Sequence, residues 1–388
     1  MTLKLNTNII DVLKVYATLM VFICHSTIIA HQEFGFELQG VWRALNTPAW
    51  GGVWMFFTLG GFLAAYGFDQ QKYTLDKTGI IRYYKGRFIK VLLPTWIFIS
   101  LMYIAQMNEA NVSFITIVQF LTCTFNGSGA GIKLVGASWY VFITMWLYLL
   151  APWLYKGIMH LENRQKGQEI RSFIILLSLV CLVGLAYRFI GYRLFRLDYY
   201  TWMYANVLGS IDLFIIGMIG CRLVHYLPTA INPQRLQFAK VTWIIVLIVI
   251  STIFSGWIYE LQIDNALFSY LQSKVNKIYY YLGPYLFSLE AMLAVCLFSY
   301  NVENERITPP VERLCKKISK FTFMFYLWHS ILLAIVANKI SISDGYLHYA
   351  TMLLFGFCLS CYLAYLMTTM NSAIIRNLIK CTKDEIPS

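Results

Sequence analysis

Long apolar runs separated by short polar connectors repeat along the whole chain. Within each run the apolar residues are continuous rather than alternating. That pattern predicts helices that cross a membrane and argues against a transmembrane β-barrel. Ten spans are predicted, near 9–30, 48–68, 88–106, 137–155, 172–187, 203–221, 241–258, 279–300, 321–338 and 349–371. The segment Val112–Phe125 is apolar but too short to cross, and reads as an interfacial or re-entrant piece. The expected fold is an all-α integral membrane protein, one domain over 1–388, built as a bundle of about ten transmembrane helices.

The first run breaks its own pattern. Asp11, Lys14 and His25 interrupt it, and charge in hydrocarbon is expensive. At about 100° per residue, the step from Lys14 to His25 returns within about 20° of the same direction. The step from Asp11 to His25 misses by roughly 40°. The three therefore share one stripe, better suited to a polar cleft inside the bundle than to lipid. With the N-terminus in the cytoplasm, His25 is expected roughly 24 Å above Ile9, toward the outer half. No small-residue cleavage site follows, so this run is expected to be a retained span and not a removable signal peptide.

Composition agrees. Hydrophobic residues make up 59% of the 388 and charged residues 13%, half the ~25% usual in a soluble domain. The formal net charge of +12 is mostly a topology signal. With both termini cytoplasmic, all but eight of the 31 Lys and Arg fall inside; the exceptions are Arg43, Lys133, Arg188, Arg193, Arg196, Lys274, Lys277 and Lys339. Dispersal over several short loops argues against a nucleic-acid partner and leaves the lipid bilayer as the expected one. The nine Cys are mostly scattered in apolar segments and suggest no disulfide framework. Cys358 and Cys361 have the spacing of a redox or metal pair but lie mid-span, where they read as packing residues, so no metal is expected.

His25 is the leading catalytic candidate, since an imidazole exchanges a proton near neutral pH; the alternative is a packing histidine bonded to a neighbouring carbonyl. Lys14 either snorkels to the cytoplasmic face or holds an anion such as a phosphate, and Asp11 is placed to pair with it at i,i+3. Arg87 and Lys90, three apart where the third span begins, either clamp phosphates or serve topology alone. Arg188, Arg193 and Arg196 fall in the loop after the fifth span, against the charge rule. Among Tyr187, Tyr192, Tyr199, Tyr200 and Trp202 they suit a sugar or anionic glycan, the alternative being an interfacial aromatic belt. Asp212, Glu290 and His329 lie inside spans, each a candidate proton relay, substrate contact or interhelical bond. The glycine-rich stretch 126–131 reads as a flexible lid or connector. No GxSxG elbow, HExxH pair or phosphate-binding loop occurs.

Five segments in order resemble acyltransferase family 3, the bacterial multi-pass membrane O-acyltransferases. Asp11, Lys14 and His25 match its first-span pattern, with Lys in place of the usual Arg. Phe56-Phe57-Thr58-Leu59-Gly60-Gly61-Phe62 resembles its second-span motif, with Gly60 where Ser is usual. Arg87, Lys90 and Pro94 match an RxxRxxxP-like pattern, Ser138-Trp139-Tyr140-Val141 a tryptophan motif, and Tyr326-Leu327-Trp328-His329 a YLxH motif.

The resemblance implies transfer of an acyl group, often acetyl, from a cytoplasmic donor such as acyl-CoA to a hydroxyl of a surface carbohydrate or lipid-linked glycan. It implies a location in the bacterial inner membrane. His25 becomes the catalytic base or acyl relay, Asp11 a second catalytic residue, and Lys14, Arg87 and Lys90 become donor-binding cations. Trp139, Arg188, Arg193, Arg196, Glu290 and His329 become candidate acceptor contacts. Some relatives add a soluble SGNH-type esterase domain, which this chain is expected to lack. From the residues alone, a transporter or flippase for a lipid-linked glycan or small anion is the rival reading. A structural subunit of an export complex is a third. The chain shows none of the two-half symmetry a transporter would carry.

Overall fold

The computed structural model describes residues 8–38, 49–105, 113–125, 139–226, 233–246, 268–299 and 309–384. The connector at 126–131 and most of the seventh expected span lie outside these residues. Among the described residues the secondary structure is helical and contains no strand. The helices are α1 (Asn8–Phe34), α2 (Ala49–Asp69), α3 (Lys77–Arg87), α4 (Leu93–Ala105), α5 (Phe114–Leu121), α6 (Trp139–Arg164) and α7 (Glu169–Phe189). They continue as α8 (Ile211–Leu223), α9 (Pro233–Val246), α10 (Phe268–Phe298), α11 (Pro309–Ile318), α12 (Thr322–Lys339) and α13 (Gly345–Asp384). Seven stretches among the described residues are long and apolar enough to cross a membrane. The protein is an all-α membrane protein.

The third span starts earlier than the apolar pattern suggests. α3 and α4 run as one rod from Lys77 to Ala105, joined by a π-turn at Phe88–Leu92. Asp76 caps the rod by accepting from the Gly79 amide at 2.8 Å. The short apolar segment forms α5, capped by Ser113, and packs on the flank of the bundle through Phe120, with Phe114 and Ile115 exposed. It is pinned from α4 and α6, where Trp96 donates to the Phe120 carbonyl and Trp146 to the Cys123 carbonyl.

The sixth expected span, 203–221, is corrected. Its helix begins only at Ile211, after a π-turn at Tyr200–Tyr204, and has 13 residues. At 1.5 Å per residue that is ~20 Å, short of a ~30 Å hydrocarbon core. Non-helical backbone at membrane depth is tolerated where protein covers it. Ion pairs fasten both ends of α8. In its first turn Asp212 pairs with Arg188 at 2.6 Å and accepts the Tyr285 hydroxyl at 2.5 Å. In its last turn Arg222 grips Glu162 of α6 at 2.8 and 2.6 Å and also bonds Asp69 of α2. His225 lies 2.9 Å from Asp69 and Tyr226 donates to Glu162 at 2.5 Å.

Two glycines let α2 and α8 touch backbone to backbone. A Cβ on Gly61 would overlap the Phe214 carbonyl, and one on Gly217 the Thr58 carbonyl. Small residues at such crossings replace the hydrophobic drive that lipid cannot supply. α1 packs on α2 and on α12, which brings the charged stripe of α1 against the start of α12.

Candidate active site

Two helices far apart in sequence meet at a pair of imidazoles. His25 of α1 and His329 of α12 face one another with Nδ1 of His25 2.7 Å from Nε2 of His329. Nδ1 of His329 lies 2.8 Å from the Tyr326 carbonyl, one helical turn back. A carbonyl oxygen only accepts, so this Nδ1 carries a hydrogen. In the neutral ring its Nε2 then has a lone pair and accepts from Nδ1–H of His25. The remaining nitrogen, Nε2 of His25, is left as a lone-pair acceptor. The pair thus sets the tautomer that a general base requires.

Packing holds the geometry. His329 is 1% exposed, its ring parallel to Phe325 at 5.9 Å, and the Phe22 ring leans on both. His25 keeps partial exposure. Ser26, the next residue, donates to the Ile23 carbonyl at 2.7 Å and shares a 2.9 Å bond with the Tyr349 hydroxyl.

The other end of the stripe opens on a cavity of about 150 Å³ lined by Lys14, Phe56, Gly60, Tyr140, Tyr148 and Tyr326 among others. Lys14 lies 3.7 Å from Asp11, as the i,i+3 spacing anticipates. Arg87 stacks its guanidinium over the Tyr148 ring at 4.3 Å and the Tyr83 ring at 5.1 Å, and is close enough to Lys14 for the charges to repel. Nε of Arg87 is buried without an acceptor. Lys14 lines the hollow, Arg87 lies behind its Tyr148 wall, and Asp11 is the one carboxylate beside them, which leaves this end electropositive, a setting for an anion. Phe56, Tyr140 and Tyr326 pack as a three-ring wall with centroids 5.4 to 6.1 Å apart. Behind it, 5.8 Å from the Tyr326 ring, stands His329. Tyr326 therefore separates the cationic hollow from the imidazole pair.

The other candidates disperse. Asp11 lies about 21 Å along α1 from His25, at ~1.5 Å per residue, and serves Lys14 instead. Lys90 does not join Arg87. The π-turn closes with i→i+5 bonds, Leu93 N–H to the Phe88 carbonyl, and its wider turn carries Lys90 toward a different cavity. Arg188 is not in a loop: α7 runs through it, and the side chain is 1% exposed. Its terminal nitrogens bond Asp212, Tyr285 and the carbonyls of Gly184 and Gly209, so it ties α7, α8 and α10 together and has no terminal donor left for a glycan. Arg193 and Arg196 do remain exposed, Arg196 with φ +51°. Trp139 is buried, its ring 4.9 Å from Tyr204 and 5.9 Å from Tyr200. Tyr204 in turn neighbours Trp50, Trp54 and Tyr326. Glu290 is buried with neither carboxyl oxygen bonded and lines neither cavity.

Tyr148 was missed from sequence. Tyr140, Thr144 and Tyr148 recur every fourth position of α6, a polar stripe that could have marked a face turned to the hollow.

A family model described as an acyltransferase domain, of the acyltransferase 3 type, matches residues 7–369. The chain belongs to this family. The match covers both imidazoles, Lys14 and Arg87, and the whole three-ring wall. No curated protein and no solved structure matches the chain. The residues of this acyltransferase therefore have to account for its chemistry by their own geometry.

Proposed function

We propose that the acyltransferase carries an acyl group, acetyl by default, from a cytoplasmic acyl-CoA to a hydroxyl of a cell-surface polysaccharide or its lipid-linked precursor. Its membrane would be the bacterial inner membrane, with both termini cytoplasmic as the charge distribution favours. The observation that carries the reading is the bonded chain from the Tyr326 carbonyl through His329 to His25, which leaves His25 Nε2 as a base.

In this mechanism Lys14 and Arg87 hold an anionic part of the donor from the cytoplasmic side. Lys14 and His25 are about 16 Å apart along α1. An extended arm of the donor spans that distance once Tyr326 swings aside. His25 Nε2 accepts the proton of the acceptor hydroxyl while its oxygen bonds to the acyl carbon. The carbon–sulfur bond breaks, and the proton passes to the departing thiolate. Tyr200, half-buried at the edge of the Trp139–Tyr204 cluster, offers a ring to a sugar on the outer side.

Mass spectrometry of surface glycans from cells with and without the protein tests the reading. Loss of an acyl mass from an otherwise normal glycan is the expected result. Loss of the entire glycan would favour transport and overturn it.

A further inference from the structure

The cavity that takes Lys90 from Arg87 is not used by the transfer reaction. It is an open cleft of about 920 Å³ between the π-turn, the α11–α12 junction and α13, within the ~300–1,000 Å³ range of ligand sites. Lys90, Lys317 and Lys320 line it and are exposed, and no ion pair found among the described residues uses any of the three. Thr368 on the α13 side has a buried hydroxyl without a hydrogen-bond partner. The α12 helix starts here with Phe321 as its cap residue and no side chain bonding its first amides. Unpaired lysines, an orphaned hydroxyl and an uncapped helix start all favour a phosphate.

The neighbouring surface says what carries that phosphate. Leu314 and Tyr365 line the cavity and are 57% and 56% exposed. Tyr362 and Met370 continue an exposed apolar face along α13. On a membrane helix such a face meets acyl chains, while the lysines sit at the cytoplasmic end by the charge rule. A basic pocket between helices at that level suits an acidic headgroup with its chains in the bilayer. We propose that this cavity is a binding site for an acidic phospholipid, whose phosphate is held by Lys90, Lys317, Lys320 and Thr368. The site shares no lining residue with the Lys14 hollow, although Phe321 borders one and Thr322 the other.

Native mass spectrometry of the full chain, released from phosphatidylcholine nanodiscs doped with phosphatidylglycerol, reads the site without using transferase activity. The wild type is expected to retain phosphatidylglycerol, and each Lys→Gln substitution at 90, 317 or 320 to weaken retention roughly fivefold. Lys166→Gln, an exposed lysine elsewhere, should leave it unchanged. Thr368→Val, a milder change, should also weaken it and covers the case in which a lysine variant fails to fold. Retention unaltered by these substitutions would overturn the proposal. So would displacement of the lipid by free coenzyme A or inorganic phosphate, which would assign the pocket to a soluble ligand.

Discussion

Nδ1 of His25 and Nε2 of His329 stand 2.7 Å apart although 304 positions separate them in the chain. The bond makes His329 a positioning residue for His25. His329→Gln retains a side-chain oxygen able to accept from His25 and should keep most activity. His329→Phe has no acceptor and should lower kcat by about 10²-fold, with KM for the donor unchanged. Steady-state kinetics on both variants separates this from a packing role, in which the aromatic replacement would be the better tolerated one. Activity should also fall on acidification, because a protonated His25 has no lone pair to offer.

Lys14 and Arg87 flank the electropositive hollow. Lys14→Gln and Arg87→Gln should each raise KM for the acyl donor about tenfold, the loss of one charge-assisted contact. The effect on kcat should be smaller. Lys14→Arg, which keeps the charge, should leave KM near the wild-type value. A donor titration in proteoliposomes measures all three.

Helical periodicity on one span is enough to place Asp11 beside Lys14 and to put His25 on their face. It is silent about which helix lies opposite, so His329 could be named a candidate but not the partner of His25. The separation of Lys90 from Arg87 was illegible for another reason. Their spacing implies neighbours on an α-helix, and nothing in Phe88–Leu92 announces a π-turn. Arg188 was misplaced because a buried arginine looks the same in sequence as a loop arginine until Asp212 and Tyr285 are seen around it. The late start of α8 was likewise illegible, because the apolar run from 203 gives no sign of the π-turn at Tyr200–Tyr204 that delays it to Ile211.

Adjacent glycines in α2 should respond in opposite ways. A Cβ on Gly60 would meet Tyr148 and Phe214 at 3.7 Å, an ordinary contact, so Gly60→Ser should fold normally. A Cβ on Gly61 would collide with backbone that cannot step aside, and Gly61→Ala should cost about 1–3 kcal/mol. Thermal unfolding in detergent distinguishes them.

Removing one member of the Arg188–Asp212 pair strands a buried charge. Arg188→Met should destabilise by about 3–5 kcal/mol, and the double variant Arg188→Met, Asp212→Leu should recover much of the loss. Folded Arg188→Met protein should bind the acceptor with unchanged KM, as expected of a residue that holds helices and not sugar.

The central claim is that His25 Nε2 is the base of the transfer. Its most direct test is transfer of a radiolabelled acyl group by purified, folded His25→Ala protein in proteoliposomes supplied with donor inside and acceptor outside. The account expects the rate to fall by about 10²–10⁴-fold, with donor binding retained through Lys14 and Arg87. Transfer at the wild-type rate would contradict it.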